Sequence, residues 1–180
     1  MLKFRSIVMG AATAFVFSSV STQSASALSC MRPDLGQTME NAKASDKMYY
    51  VLVGRFSHNA APQPPIDYEN QFQSKPPTIT RAYFEGYSLT PNPRTDVPLY
   101  GLPVDIETSC AGPWCGSAPP SDRPQIAFVE TREGQSAILR IGPCPDMVFA
   151  AEPQGGQTDM LRTCFDKTCP VSSDSPYRNR

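Results

Sequence analysis

The stretch TSCAGPWCG, residues Thr108–Gly116, decides how the rest of the chain is interpreted. It contains two of the six cysteines, Cys110 and Cys115, and the only tryptophan, Trp114. A Gly-Pro pair between the cysteines is typical of a turn. Because a predicted strand precedes the stretch and a predicted hairpin follows it, we interpret it as a covalent hinge that joins two layers of a small β-rich fold.

Residues 1–27 have the pattern of a signal peptide. Lys3 and Arg5 give a positive start, Ser6–Val20 is mostly apolar, and the small residues Ser21–Ala27 end in the Ala-Ser-Ala motif of a cleavage site. The apolar run is shorter than the roughly 20 residues that span a bilayer, although a retained N-terminal anchor helix is the alternative. We therefore expect an exported protein, periplasmic or secreted, with no membrane span.

The expected mature chain is one domain, residues 28–169, followed by a flexible tail, residues 170–180. The leader holds two of the sixteen basic residues and no acidic one, so the remaining 153 of 180 residues carry a net charge of −3. That length is enough for one hydrophobic core. The mild acidity and the lack of a basic cluster argue against a nucleic-acid partner, which needs lysine and arginine against its phosphates.

All six cysteines lie in the mature part of the chain. An even number in an exported protein predicts three disulfides, whereas zinc would need a CxxC motif or more histidines than the single His58. We expect no cofactor and no metal. Six cysteines allow fifteen pairings. The order of the elements favours Cys30–Cys110, Cys115–Cys144 and Cys164–Cys169.

Hydrophobic alternation predicts five strands between two short helices. In Met48–Phe56 both faces are apolar, so this strand should be central, and Gly54 should mark a bulge. A five-stranded, partly open barrel of the oligonucleotide/oligosaccharide-binding (OB) type accommodates this order, with a two-layer α+β sheet as the alternative. The predicted elements are helix Pro33–Asp46, strands Met48–Phe56, Thr80–Leu89, Val97–Thr108, Gln125–Thr131 and Ser136–Ile141, and helix Thr158–Phe165.

The cysteine order carries a resemblance to a known family. Two cysteines precede the hairpin RPQIAFVETREGQSAILRI, Cys144 follows it, and a helix ending in MLRTC reaches Cys164, while Cys30 precedes the first helix. Over about residues 30–169 the chain resembles the netrin-like module, the barrel shared by tissue inhibitors of metalloproteinases. It is also similar to uncharacterised exported bacterial proteins that have an ALSC…RPD start and a GPWCG segment.

The resemblance implies binding or inhibition rather than turnover. In the inhibitors the mature N-terminal cysteine chelates the zinc of the target enzyme through its amine and carbonyl, and Cys30 is the residue that would take that part. The chain has one cysteine where the family has a CxC start. The role requires cleavage after Ser29, because cleavage after Ala27 would leave Leu28 as the first residue. A lipid anchor on Cys30 is a further alternative for that residue.

No catalytic constellation is evident in the sequence. Trp114-Cys115-Gly116 is similar to the start of a thioredoxin-type motif, but the second thiol is missing two residues further on, so a structural disulfide is the better interpretation. His58 is predicted to be a surface residue at a strand end. Asp105 and Glu107 share a strand face, and an envelope hydrolase would need one of them in an apolar pocket.

We expect a non-enzymatic module that binds a protein partner in the bacterial envelope. The predicted interaction surface combines the proline-rich loop 59–77, which carries Tyr68 and Phe72, with Ala111–Pro120, which carries Trp114. The alternatives are an envelope hydrolase that uses its carboxylates and a structural accessory subunit.

Overall fold

The computed structural model describes residues 30–60, 75–152 and 155–170. The predicted signal peptide, Tyr68, Phe72 and residues 171–180 of the predicted tail lie outside the described residues. In chain order the elements are α1 Leu35–Ala44, β1 Tyr49–His58, β2 Thr78–Ser88, β3 Val97–Thr108, β4 Cys110–Ala111, β5 Trp114–Cys115, β6 Gln125–Glu130, β7 Ala137–Ile141, β8 Val148–Ala150 and α2 Gly156–Cys164.

Five strands close into a barrel in the order β1-β2-β3-β7-β6, and β6 pairs again with β1. The β3–β7 pair is parallel and the other pairs of the ring are antiparallel. The predicted OB-type barrel with two short helices is therefore confirmed, and the closed ring excludes an open two-layer sheet. The short strands β4, β5 and β8 were not predicted. Strand β8 pairs with β6 outside the ring.

Strand β1 is buried on both faces, as its apolar pattern predicts. Leu52 and Phe56 point into the barrel, while Val51 and Val53 point outward, where both helices cover them. The protein thus has two adjoining cores that share β1 and β6. The barrel core contains Leu52, Phe56, Ala82, Phe84, Val104, Ile106, Ala127, Val129, Leu139 and Ile141, and the helix layer contains Leu35, Met39, Val51, Val53, Leu89, Ile126, Phe128, Leu161, Cys164 and Cys169.

Two paired glycines let the strands approach closely where Phe84 fills the barrel. Gly54 of β1 is the cross-strand partner of Gly86 of β2. A Cβ atom on Gly54 would lie 2.1 Å from the Glu85 carbonyl oxygen and 2.7 Å from the Phe84 ring. The expected bulge at Gly54 is wrong, because the β1–β2 register runs through it without interruption. The register shift lies between β2 and β3, where β3 gains an extra residue beside Gly101, whose φ is +63°.

The two helices pack side by side on the outside of β1 and β6. Helix α1 begins after Asp34, whose carboxylate accepts a hydrogen bond from the Gln37 amide at 2.8 Å. The Lys43 ammonium donates to the Cys164 carbonyl at 2.8 Å, which caps the C-terminal end of α2. Arg162 of α2 binds Asp96 in the β2–β3 connection through two hydrogen bonds of 2.6 and 2.8 Å, so α2 is fixed to the barrel.

Three disulfides are present, and two of the three predicted pairings are wrong. The structure joins Cys30 to Cys144 and Cys110 to Cys115, and it confirms Cys164–Cys169. The chain reverses between Cys110 and Cys115 at Gly112, whose φ is +57°, so these cysteines lie directly opposite each other in the β4–β5 ladder. This local pairing leaves Cys144, after β7, as the partner of Cys30.

No helix within the described residues is long and apolar enough to cross a membrane. Three disulfides are compatible with a periplasmic or extracellular location, because oxidising compartments form and preserve them.

Candidate functional site

The β4–β5 hairpin forms a small covalent loop at one end of the barrel, which we call the hairpin end. The ladder pairs Cys110 with Cys115 and Ala111 with Trp114, and the disulfide closes the same ladder. The hairpin is six residues long, and the Trp114 side chain on it is 36% exposed. The hairpin therefore presents an aromatic side chain on a short, cross-linked backbone.

The base of this hairpin is fixed to the ends of β3 and β7. The Gly116 amide donates to the Ser109 carbonyl at 2.9 Å, and the Ser109 amide donates to the Ile141 carbonyl at 3.1 Å. A Cβ atom on Gly116 would lie 2.2 Å from the Ile141 carbonyl oxygen, so only glycine allows this close approach. The orientation of the hairpin is thus set by the barrel as well as by its own disulfide.

His58, the last residue of β1, connects the end of this strand to the segment that follows the hairpin. Its Nδ1 accepts a hydrogen bond from the Ala60 amide at 3.2 Å, so Nε2 carries the proton and donates to the Pro119 carbonyl at 2.8 Å. The predicted strand-end position is confirmed, but the side chain is half-buried rather than a surface residue. The two loops of the predicted interaction surface therefore begin at the same end of the barrel, although residues 61–74 lie outside the described part.

The Cys30–Cys144 disulfide brings the first described residue to the same region. Cys144 lies three residues after the end of β7, and Cys30 is exposed. The Thr38 hydroxyl donates to the Asp146 carbonyl at 2.9 Å, which holds the start of α1 against the loop after β7. A shallow groove of about 220 Å³ lies between these segments. The Cys30 sulfur is engaged in the disulfide, so it cannot carry a thioether-linked lipid in this structure.

The carboxylates that would serve a hydrolase each contact an arginine on the outside of the barrel. Asp105 accepts from the Arg81 Nε at 2.7 Å, and Glu107 accepts from the Arg140 Nε at 3.0 Å. Both carboxylates are 24% exposed. The structure therefore places each of them in an ion pair on the outer surface and does not bring them together in an apolar pocket.

Glu130, at the end of the barrel opposite the hairpin, is the most buried charged residue of the described chain. It is 8% exposed and contacts Lys47 at 3.1 Å, Arg132 at 3.6 Å and Arg140. Burial acts to raise the pKa of Glu130, but the Lys47 ammonium and the Arg140 guanidinium outweigh it and lower the pKa below its usual value. Glu130 is thus an ionised anchor for three basic side chains rather than a proton donor.

Among the described residues, no three histidine, cysteine, aspartate or glutamate side chains form a group that could hold a metal ion. No protein-family model, curated protein or solved structure matches the chain. The candidate site is therefore defined by its geometry.

Sequence patterns indicated part of the hairpin end and missed the rest. Trp114 and the Ala111–Pro120 segment were identified from their composition. The contribution of Cys30 and Cys144 was missed, because it depends on a pairing that the spacing did not specify. The half-buried position of His58 depends on a contact 61 residues away, with Pro119, for which the sequence has no local signal.

Proposed function

We propose that the protein is an exported, non-catalytic module of the bacterial envelope that binds a protein partner through the hairpin end of its barrel. The observation that carries the proposal is Trp114 held at the surface by a disulfide-closed hairpin whose base is hydrogen-bonded to β3 and β7. Tryptophan is among the residues that most often dominate protein interfaces.

A rigid carrier makes such an aromatic residue an effective contact. Binding costs less free energy when the contacting group is already fixed in its bound position. Three features restrict motion at the hairpin end. They are the Cys110–Cys115 disulfide, the close contact of Gly116 with the Ile141 carbonyl, and the hydrogen bond from His58 to Pro119. The positions of Asp105 and Glu107 also favour binding over hydrolysis, because each carboxylate is paired with an arginine on the outer surface and neither lies in the apolar pocket that a catalytic acid would need.

An inhibitor-like form of this function, suggested by the resemblance to netrin-like modules, would place Cys30 against a metalloprotease. The exposure of Cys30 next to the loop after β7 supports this form. It requires a mature chain that begins at Cys30, so that the α-amine is free to bind zinc. The intact mass of the purified mature protein measures this directly, and a mass that begins at Leu28 would contradict the inhibitor-like form while leaving protein binding in place.

The binding surface is tested by comparing two exposed apolar residues at opposite ends of the barrel. Trp114→Ala changes the hairpin end, and Met48→Ala, at a residue that is 70% exposed beside β1, is the matched control. Immobilised wild-type protein should retain a specific envelope protein, Met48→Ala should retain it equally, and Trp114→Ala should lose most of it. Equal retention by all three proteins, or loss with Met48→Ala alone, would place the binding site elsewhere.

A further inference from the structure

The outward face of β2 belongs to a sheet surface that no other element of the described chain covers. The helices cover β1 and β6, while the inward residues of β2, such as Ala82 and Phe84, fill the barrel. By alternation the outward residues of β2 are Ile79, Arg81, Tyr83 and Glu85. Two of these are large and exposed, since Ile79 is 62% and Tyr83 is 55% accessible to solvent.

This apolar surface continues onto β3. Tyr83 lies directly opposite Pro103, which is exposed, and Glu85 lies beside the β3 bulge that carries Tyr100. Tyr100 is 84% exposed, the highest value among the exposed large apolar residues of the described chain. An aromatic centre flanked by charged residues is the usual composition of an interaction surface.

The charged residues on this face can pair with the same residues of a second copy. Arg81 lies two residues before Tyr83 in the chain, and Glu85 lies two residues after it. A two-fold axis that is perpendicular to β2 and passes by Tyr83 therefore places Arg81 of one copy against Glu85 of the other. A two-fold axis parallel to β2 would instead place Arg81 against Arg81 and Glu85 against Glu85. We propose that a second copy of this chain docks on the outward face of β2, with the two β2 strands antiparallel and the Tyr83 rings in contact.

The internal contacts of the two charged residues fit this arrangement. The Arg81 guanidinium is held by Asp105 at 2.7 Å and by the Ser136 hydroxyl at 3.1 Å, so it is already oriented before any partner arrives. Glu85 lies opposite Arg55 in the β1–β2 register but makes no ion pair within the described residues. Its carboxylate is therefore available to the Arg81 of a second copy.

The size of the surface predicts a weak dimer. The two strands β2 and β3, about 4.8 Å apart, with seven residues rising about 3.3 Å each, give a face of roughly 220 Å². A standard interface buries about 800 Å² per partner, and the outside of a barrel is convex, so the contact is centred on β2. We expect a dissociation constant in the micromolar range that rises with salt, because two ion pairs at an exposed interface are screened. In this dimer the two hairpin ends point in opposite directions.

Charge reversal tests the proposal, with sedimentation equilibrium of the full mature protein from about 1 to about 500 µM as the measurement. Wild-type protein should dimerise, whereas Arg81→Glu and Glu85→Arg should each weaken the dimer at least about tenfold by opposing like charges twice. Mixing these two variants should restore a dimer near wild-type affinity, because each contact in the mixed pair again joins opposite charges. Arg123→Glu, at a residue off this face, is the control and should behave as wild type.

Several results would overturn the proposal. They are a monomeric wild type over the whole concentration range, a mixture of the two variants that stays monomeric, or an equal weakening by Arg123→Glu. Arg81→Glu also opposes Asp105 within the chain, so its thermal unfolding is measured in parallel. If that variant is unfolded, Tyr83→Ser takes its place, because this substitution changes an exposed side chain and should still weaken the dimer. A dimer unaffected by Tyr83→Ser would equally contradict the arrangement.

Discussion

Removing the disulfides one pair at a time should separate their contributions to stability by the size of the loop that each one closes. The Cys30–Cys144 disulfide spans a sequence separation of 114 residues, and the Cys110–Cys115 disulfide spans 5. In the chain-entropy model these loops correspond to about 4.8 and about 2.2 kcal/mol. Cys30→Ala/Cys144→Ala should therefore lose about 2.6 kcal/mol more unfolding free energy than Cys110→Ala/Cys115→Ala.

Urea unfolding of the oxidised proteins, followed by circular dichroism, gives both free energies by linear extrapolation. Titration of free thiols in the same samples tests the connectivity itself, because the Cys30→Ala/Cys144→Ala variant should contain none. Two free thiols in that variant would mean that Cys110 and Cys115 pair with other cysteines. An equal loss of stability in the two variants, or a larger loss for the hairpin pair, would refute the loop-size argument.

Three further substitutions test the close approach of the strands and the attachment of the second helix to the barrel. Gly54→Ala should destabilise the protein by about 3 kcal/mol or more, because the new Cβ would lie 2.1 Å from a backbone oxygen. Gly101→Ala is the control: its Cβ would meet nothing within 4 Å, so it should cost only about 1–2 kcal/mol through the positive φ of that residue. Equal losses of unfolding free energy in urea would contradict the close-approach argument. Asp96→Asn should lower the melting temperature at neutral pH, because hydrogen bonds from Arg162 hold the pKa of Asp96 below its usual value and so stabilise the folded protein. This stabilisation is lost only when the carboxylate is protonated. The difference in melting temperature between wild type and Asp96→Asn should therefore shrink as the pH falls below about 4. A gap that is constant down to acid pH would argue against an ionised Asp96–Arg162 pair.

The barrel could be predicted from the sequence because its strands carry strong local signals. The β1 pattern is apolar on both faces, and the structure shows the reason, since one face lines the barrel and the other contacts the helices. The β6–β7 hairpin was predicted from its alternation and from the glycine in its turn. These signals lie within each segment, so the fold class follows from them without knowledge of distant contacts.

The features that escaped prediction depend on contacts between distant parts of the chain. Cys30 pairs with Cys144 because the start of α1 lies against the loop after β7, and no spacing rule contains that information. A glycine within a strand predicts either a bulge or a close approach of two backbones, and at Gly54 the structure has the close approach, to Gly86. The uncovered face of β2 depends on where both helices pack, which no local pattern in the sequence specifies.

The proposed binding role of the hairpin end is tested by placing a photo-cross-linking amino acid at position 114 of the full chain and comparing it with the same group at position 48. Light-induced coupling in cells that produce the full-length protein records which of the two positions contacts another protein. Binding through the hairpin end predicts one dominant adduct from position 114 and none from position 48, which lies outside the hairpin end. Adducts of equal yield at both positions, or adducts only at position 48, would contradict it.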